Sequence, residues 1–398
     1  MLAFLLAPFY LLINYYVLRW ILRWMGACTK YFKSKYFRVS FITIYIFIST
    51  TPVTSFLFRS GELHRFLKQV NNYWLGIFLY IIFFVVIMDV VRLILKRIRT
   101  VGNVFLGSRK VFVTIGAITA ALIIATSIHG IIHAKRIYTT SFDVSVDKAC
   151  QAGDSLRIVL VADLHLGYSV GKRQMEQMVN KINAVDADLV CIAGDIFDNE
   201  YDAVDEPDKI RDILKKIKST YGVYACYGNH DLNEKILAGF TFASGESSDK
   251  DDPRMAKLLT DAGITLLNDE AVLVDNAFYV VGRDDPSRSK KLGEGRKSPQ
   301  ELLEGLDPDK PIIVIDHQPK QLQELADAGT DLDLGGHTHD GQMFPGNITV
   351  NFMWENAYGY IKKQDMHSIV TSGVGVWGPN MRVGTKSEIV EINVSFKN

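Results

Sequence analysis

The stretch RIVLVADLH, residues 157–165, decides how the second half of this chain folds. Its apolar, β-branched centre is typical of a strand buried on both faces, and it ends in the polar residues Asp163 and His165. Apolar residues at helical spacing follow over residues 175–182, and a second buried stretch then ends in Asp195. This strand, helix, strand order predicts a sheet rich in parallel strands with helices on its faces.

The alternation of strand-like and helical stretches continues for the rest of the chain. Further strand-like stretches are GVYACYGNHD (222–231), PIIVIDHQP (311–319), LDLGGHTHDGQ (332–342), SIVTSGVGVW (368–377) and SEIVEINVSF (387–396). The last of these have a more antiparallel character. From the residues alone, the second half is therefore an α/β domain with either one mixed sheet or a sandwich of two sheets.

Charge divides the chain into two unlike halves. Residues 1–142 contain 17 Lys and Arg but only two acids, a net charge of +15, whereas the remainder carries 27 basic and 42 acidic residues, a net charge of −15. The overall formal charge of zero is thus a cancellation. The mean hydropathy of +0.10 and the hydrophobic content of 48% come mainly from the basic half.

Four long apolar runs, at 2–22, 40–58, 73–95 and 111–133, explain that hydropathy. Each is close to the roughly 20 residues with which a helix crosses a bilayer. The second run contains Ser, Thr and Pro residues, so a re-entrant segment is the alternative there. We expect a membrane domain of about four transmembrane helices at 1–136, a linker and first edge strand at 137–155, and the α/β domain at 156–398.

Basic residues predict the orientation of these helices. The link between the first two runs carries five Lys or Arg, as does the link between the last two, whereas fewer flank the other ends. By the positive-inside rule, both basic links are cytoplasmic. We therefore expect a multi-pass protein of the cell membrane whose α/β domain lies outside the cytoplasm. The first basic link contains Arg23, Lys30, Lys33, Lys35 and Arg38, and the second contains Lys96, Arg97, Arg99, Arg109 and Lys110. The link between the second and third runs contains Arg59, Arg65 and Lys68, and Lys135 and Arg136 follow the fourth run.

Polar side chains with the chemistry of metal ligands follow five consecutive strand-like stretches. Open α/β sheets bind ligands at the carboxyl ends of their strands, so these residues are expected to converge. Five of the nine histidines stand at these positions, and mixed nitrogen and oxygen donors suit Mn, Fe or Zn. The residues are Asp163, His165, Asp195, Asp198, Asn229, His230, Asp231, His317, His337 and His339.

The series DxH, GDxxD, GNHD, H and GHxH, in this order, resembles the calcineurin-like metallophosphoesterases over roughly residues 155–396. The tail GHTHDGQ followed by GVGVWGPNMRVGTKSEIVEI is similar to the membrane-linked branch of that family. The resemblance implies a four-layer αββα sandwich beside the α-helical transmembrane anchor. It also implies two divalent metal ions and hydrolysis of phosphate mono- or diesters by a metal-bridged hydroxide.

Carried over to this sequence, the resemblance implies one metal ion bound by Asp163, His165, Asp195 and His339. A second would be bound by Asp195, Asn229, His317 and His337, with Asp195 bridging. His230 would act as the catalytic acid or contact the phosphate, oriented by Asp231. Two positions depart from the family pattern, since glycine is common where Asp340 stands and serine is common where Asp316 stands.

The substrate is less constrained than the chemistry. A domain held at a bilayer has access to lipid or cell-envelope phosphoesters, and a water-soluble ester is the alternative. A nuclease-type phosphodiesterase is a second candidate, but an acidic domain repels nucleic acid, so no nucleic-acid partner is expected. A non-catalytic metal-binding receptor module is the third, and such proteins are expected to lose ligands that are all present here.

Overall fold

The computed structural model describes residues 2–58, 61–97, 108–237, 240–242 and 251–397. Two compact units are present. The helical unit comprises Met1–Ile131 with Ile236–Phe242 and Gly378–Met381, and the α/β unit comprises Ile132–Lys235, Ala243–Trp377 and Arg382–Asn398.

Each apolar run forms one continuous helix. The helices are α1 (Leu2–Cys28), α2 (Lys35–Leu57), α3 (Glu62–Arg97) and α4 (Arg109–Lys135). Within the described residues, these four helices are long and apolar enough to cross a membrane. The second run is a single 23-residue helix that contains Pro52. Arg59 and Arg99, which contributed to the orientation argument, lie outside the described residues.

Aromatic side chains form the centre of the helical unit. The ring of Trp74 stacks on Phe78 and meets Tyr45 edge-on. The indole of Trp74 donates to the hydroxyl of Tyr10 at 2.8 Å, and the hydroxyl of Tyr45 donates to Oδ1 of Asn14 at 2.9 Å. These two hydrogen bonds pair polar groups that lie among apolar side chains, an arrangement that stabilises helices in lipid.

The described part of the α/β unit contains two six-stranded sheets. The strand order of sheet 1 is β1-β14-β2-β3-β4-β7, and that of sheet 2 is β12-β13-β11-β10-β9-β8; the short β5 and β6 pair with each other. The strands are β1 (Ile137–Val146), β2 (Ser155–Val161), β3 (Leu189–Ala193), β4 (Val223–Cys226), β5 (Lys235–Leu237), β6 (Phe240–Phe242), β7 (Ile264–Leu266), β8 (Glu270–Val274), β9 (Phe278–Gly282), β10 (Ile312–Ile315), β11 (Leu332–Gly335), β12 (Gly359–Lys363), β13 (Met366–Val370) and β14 (Ser387–Phe396).

The α/β unit has four layers of secondary structure: helices, sheet 1, sheet 2 and helices. Buried apolar side chains fill the three interfaces between these layers. The middle interface lies between the two sheets, because residues of β2 and β3 pack there with residues of β9, β10 and β11. At the outer interfaces, α5, α6 and α7 pack on sheet 1 and α9 and α10 pack on sheet 2. The predicted αββα sandwich is therefore confirmed. The helices are α5 (Lys172–Val185), α6 (Pro207–Leu214), α7 (Pro253–Asp261), α8 (Pro286–Leu292), α9 (Pro299–Leu303), α10 (Leu322–Asp327) and α11 (Gly346–Thr349).

The pairing directions bring the strand ends together. In sheet 1, β2, β3 and β4 are parallel, and in sheet 2, β9, β10, β11 and β13 are parallel. Parallel strands of one sheet end at the same edge, where α/β sheets place their ligands. The first strand, β1, lies at the edge of sheet 1 and pairs over its full length with β14, which also pairs with β2.

Candidate metal centre

Every predicted site residue lies just past the carboxyl end of a strand. Two sheets contribute, so the candidate centre lies where the edges of both sheets meet. Asp163 and His165 follow β2, Asp195 follows β3, and Asn229, His230 and Asp231 follow β4, while His317 follows β10, and His337 and His339 follow β11.

The first group of ligand-type side chains consists of Asp163, His165 and His339, whose donor atoms all lie within 4.8 Å of one another. Nε2 of His165 is 3.0 Å from Nε2 of His339, and the latter atom is 3.3 Å from Oδ1 of Asp163. All three residues are buried. Three donors that face one another without intervening atoms are suited to a shared cation.

The second group consists of Asp195, His317 and His337, again with donor atoms within 4.8 Å. Oδ2 of Asp195 is 3.1 Å from Nε2 of His317, which is 3.1 Å from Nδ1 of His337. The same Oδ2 atom lies 3.8 Å from Nε2 of His165 in the first group. Asp195 therefore stands between the two groups, where the sequence prediction needs a bridging carboxylate.

Asn229 provides the test of whether a metal ion fits. Its Oδ1 atom is buried, and among the described residues it has no hydrogen-bond partner. An unpaired buried oxygen costs about 1 to 3 kcal/mol, so a cation that accepts it as a ligand removes a penalty. Two carboxylates, four imidazoles and an amide oxygen form a donor set that suits Mn, Fe or Zn. The assignment of each ligand to one of two metal ions stays a prediction.

Close backbone approach and strain characterise this site. A Cβ atom at Gly228 would lie 2.2 Å from Oδ1 of Asp195, and one at Gly336 would lie 2.6 Å from Oδ2 of Asp163. Asp163, Asp195 and His337 adopt left-handed φ angles of 53°, 50° and 72°. Such conformations cost about 1 to 3 kcal/mol each in non-glycine residues and concentrate at functional sites.

The pKa values within the cluster favour neutral imidazoles at two positions. Burial lowers the pKa of His337 to about 3 and holds the pKa of His339 well below its usual value. Burial raises the pKa of Asp163 to about 6. Burial would also raise the pKa of Asp195, but His317 holds that pKa well below its usual range. Neutral imidazole is the form that ligates metal ions.

The predicted role of Asp231 requires a correction. Its carboxylate accepts backbone N–H groups of Phe197 at 2.8 Å and Gly228 at 2.7 Å, so it holds two loops rather than the ring of His230. The Nδ1 atom of His230 instead contacts Oδ1 of Asn199. Asn199 was missed because its position, four residues after Asp195, matches no strand-end pattern.

Two further carboxylates, those of Asp198 and Asp316, lie near the cluster. Oδ1 of Asp198 lies 3.6 Å from Nδ1 of His165, opposite the Nε2 atom that faces the centre. This separation is longer than a hydrogen bond, so the carboxylate acts on the His165 ring through its charge. Asp316, which departs from the family pattern, accepts Arg283 at 2.8 Å and Arg296 at 2.6 Å. Its charge is therefore balanced within the protein.

Arg382 is a further residue that sequence reasoning missed. Its fully buried guanidinium group donates to the carbonyl oxygens of Ser372 at 2.5 Å and Gly375 at 2.8 Å. It also donates to the carbonyl oxygen of His339 at 3.2 Å and lies 3.3 Å from Nδ1 of that ring. One side chain thus connects a ligand-type histidine with the loop after β13.

We expect Arg382→Lys to weaken metal binding by about 10- to 100-fold, as is typical when a group that supports a ligand is removed. A lysine keeps the charge but lacks the planar fork that reaches several acceptors at once. Isothermal titration of the metal-stripped full-length protein with Mn²⁺ measures the effect. The matched control is Arg254→Lys, a half-exposed arginine paired with Asp202 and Asp252, which should bind Mn²⁺ normally. Equal affinities for both variants would contradict the proposed support.

Comparison with known proteins agrees with this geometry. The calcineurin-like phosphoesterase family matches residues 156–341. A relative from Danio rerio, named a transmembrane protein with metallophosphoesterase domain, is 26% identical over 82% of this chain and 75% of its own length. An uncharacterized metallophosphoesterase from Campylobacter jejuni is 28% identical over 91% of both chains. Another from Helicobacter pylori is 29% identical over 61% of this chain and 60% of its own.

These findings account for both halves of the chain. Apolar helices of spanning length, together with similarity to relatives named transmembrane proteins, indicate that the protein associates with a membrane. The order of the ligand-type residues, their convergence in an αββα sandwich and the family match lead to the same assignment. Residues 156–341 match the calcineurin-like phosphoesterase family, and the chain carries a domain of that kind there.

Proposed function

We propose that this protein is a membrane-anchored hydrolase of phosphate mono- or diesters that works with two divalent metal ions. The observation that carries the proposal is the convergence of ligand-type side chains from two sheets on Asp195, which stands between the two groups. Asp163, His165, Asp195 and His339 would hold one ion, and Asp195, Asn229, His317 and His337 the other. When bound, the two ions would supply a hydroxide at neutral pH and neutralise the phosphoryl oxygens.

His230 is the group that we assign to proton transfer. Asn199 contacts its Nδ1 atom, so this nitrogen holds its proton and Nε2 is the atom left for the substrate. The backbone N–H of His230 also donates to Oδ1 of Asp195 at 2.7 Å, which fixes the ring beside the centre. The negative charge of a bound phosphoester favours the imidazolium form, and Nε2 then donates to the leaving oxygen.

The competing functions have less support. A nuclease would have to bind a polyanion with the acidic half of the chain, residues 143–398, whose net charge is −15. A metal-binding receptor without catalysis has no need of His230 or of Asn199 beside it. Neither alternative accounts for the whole arrangement as well as hydrolysis does.

The substrate class that we propose is a lipid-linked phosphoester. An apolar rim, defined as Ile348, Phe352, Met353, Trp354 and Trp377, adjoins the cluster. The Trp354 ring lies 5.0 Å from His337, and the Trp377 ring lies 6.2 Å from His230. Phe352 is 86% exposed and Met353 is 75% exposed.

Neighbouring apolar side chains so exposed are typical of a surface that meets lipid or another apolar partner. Because the chain associates with a membrane, we commit to the lipid portion of the substrate as that partner. Hydrogen bonds in both directions between Gln342 and the backbone of Trp377, each 2.9 Å long, hold one side of the rim in place.

We also propose a multi-pass topology with both termini and the α/β unit outside the cytoplasm, supported by the basic links. A β-lactamase fused after Lys397 should confer ampicillin resistance on a bacterial host, because the enzyme protects only from outside the cytoplasm. The matched fusion after Lys33, in the first basic link, should not. The reverse pattern would overturn the orientation.

Metal-dependent hydrolysis is the first activity to measure. The metal-stripped full-length protein, supplied with Mn²⁺, should hydrolyse a chromogenic phosphomonoester or phosphodiester. Asp195→Asn should lose about 100-fold or more of this turnover because it weakens both metal positions, and His230→Ala should lose about 10²- to 10⁴-fold because the proton donor is gone. Asp275→Asn, at an exposed aspartate away from the cluster, is the matched control. Turnover that survives Asp195→Asn would contradict the proposal.

Lipid preference is tested at the apolar rim. The double variant Phe352→Ser/Met353→Ser should lose about tenfold or more of its activity on a phospholipid in mixed micelles, since each side chain contributes roughly 1.5 to 3 kcal/mol when buried in lipid. Its turnover of the water-soluble chromogenic ester should not change. Leu273→Ser, at another exposed apolar residue, is the control. Equal losses on both substrates would remove the lipid role and leave the hydrolase proposal intact.

A further inference from the structure

A basic cavity of about 600 Å³ lies in the helical unit, between the end of α1 and the beginning of α2. Four of its lining residues are cations: Arg19 and Arg23, one turn apart on α1, then Lys33 and Arg38 across the turn. The lining contains no acidic residue. Its volume falls within the range of about 300 to 1,000 Å³ that is typical of small-molecule sites.

The four cations are not neutralised by the protein. Within the described residues, none of them has a carboxylate at ion-pair distance. A second cavity of about 330 Å³ shares Arg19 and Arg23 and adds Arg92 and Asp89. Asp89 accepts the hydroxyl of Tyr16 and keeps its negative charge, so the two linings together place one acid against five cations. The positive charge therefore remains available to an anion from outside the chain.

The rest of the lining is apolar. Leu18, Leu22, Phe32 and Ile42 form most of the wall beside the cations, and Tyr15 and Gly26 are the remaining lining residues. A site for a free inorganic anion needs only the cations. A small ion held against leucine and phenylalanine side chains would lose solvation free energy. A cavity with a cationic side and an apolar side matches a molecule that has a charged head and an apolar body.

Contacts at the same end of the bundle hold this region in shape. The guanidinium of Arg109, at the start of α4, donates to the carbonyl oxygen of Ala27 at 2.7 Å and satisfies the end of α1. The indole of Trp24 donates to the carbonyl oxygen of Val113 at 3.1 Å. Helix ends of membrane proteins lie at the level of the lipid headgroups, where Arg, Lys and Trp are enriched. The proposed membrane spans would place the cavity at the depth of the phosphate headgroups.

We propose that this cavity binds an anionic phospholipid, with its phosphate among Arg19, Arg23, Lys33 and Arg38 and its acyl chains along the apolar wall. Basic pockets between membrane helices are known to take such headgroups. The site belongs to the helical unit and does not depend on the proposed phosphoesterase activity. A bound lipid would be a structural ligand of the anchor rather than a substrate.

The test is native mass spectrometry of the full-length protein in detergent, titrated with phosphatidylglycerol, phosphatidylcholine or inorganic phosphate. We expect saturable binding of phosphatidylglycerol alone. The double variant Arg23→Gln/Arg38→Gln should bind it about tenfold more weakly or worse, because each cation near a headgroup contributes to binding. Arg23→Lys/Arg38→Lys keeps both charges and should retain binding, which separates loss of charge from loss of fold.

The matched control is Lys30→Gln/Lys35→Gln. It removes the same two charges from the same link at exposed positions that do not line the cavity. Binding within about twofold of the unmodified protein supports a defined site, since long-range attraction would fall equally in both double variants. Equal losses in the two variants would overturn the proposal, as would equal binding of phosphatidylcholine or displacement of the lipid by inorganic phosphate.

Discussion

The α/β unit is organised around one electrostatic constraint, the burial of carboxylates and imidazoles within a few ångströms of one another. Asp163, Asp195 and the four histidines that face them have little water to screen their charges. Such a cluster is stable only when protons or metal cations balance it. The glycines and the left-handed ligand residues bring the donor atoms together, and the arginines behind the loops add positive charge beside them.

The sequence was sufficient to predict which residues meet, because parallel strands end at a common edge and the motifs lie immediately after the strands. Hydropathy was sufficient for the apolar helices. The αββα layering was implied by the resemblance of the motif series to a known family, because the residues alone left one mixed sheet or a sandwich of two sheets open. The sequence did not identify Asn199 or Arg382 as partners of the site. Arg382 is 43 residues from His339, and its contact depends on the path of a loop that has no periodic signature. Asp231 was misassigned because the groups that donate to its carboxylate are the backbone N–H groups of Phe197 and Gly228, which no sequence pattern marks.

The opposite charges of the two halves acquire a meaning once both are folded. Nearly all of the acids, 42 of 44, lie in the half that carries the candidate metal centre, which leaves the 17 cations of the helical half with a net positive charge. Each half therefore has the sign that attracts its expected partner, an anionic lipid in one case and a divalent cation in the other. The formal net charge of zero is the sum of these two opposite charges and does not show how the halves differ.

The pairing of β1 with β14 has a consequence for the order in which the protein is made. β14 follows every other strand of sheet 1 in the chain, yet it lies between β1 and β2. Until the ribosome has synthesised β14, the strand that follows the apolar helices has no neighbour, although all the ligand-type residues already exist. Completion of this sheet is therefore a late event in biogenesis, and it follows synthesis of the helices that take the chain to the membrane.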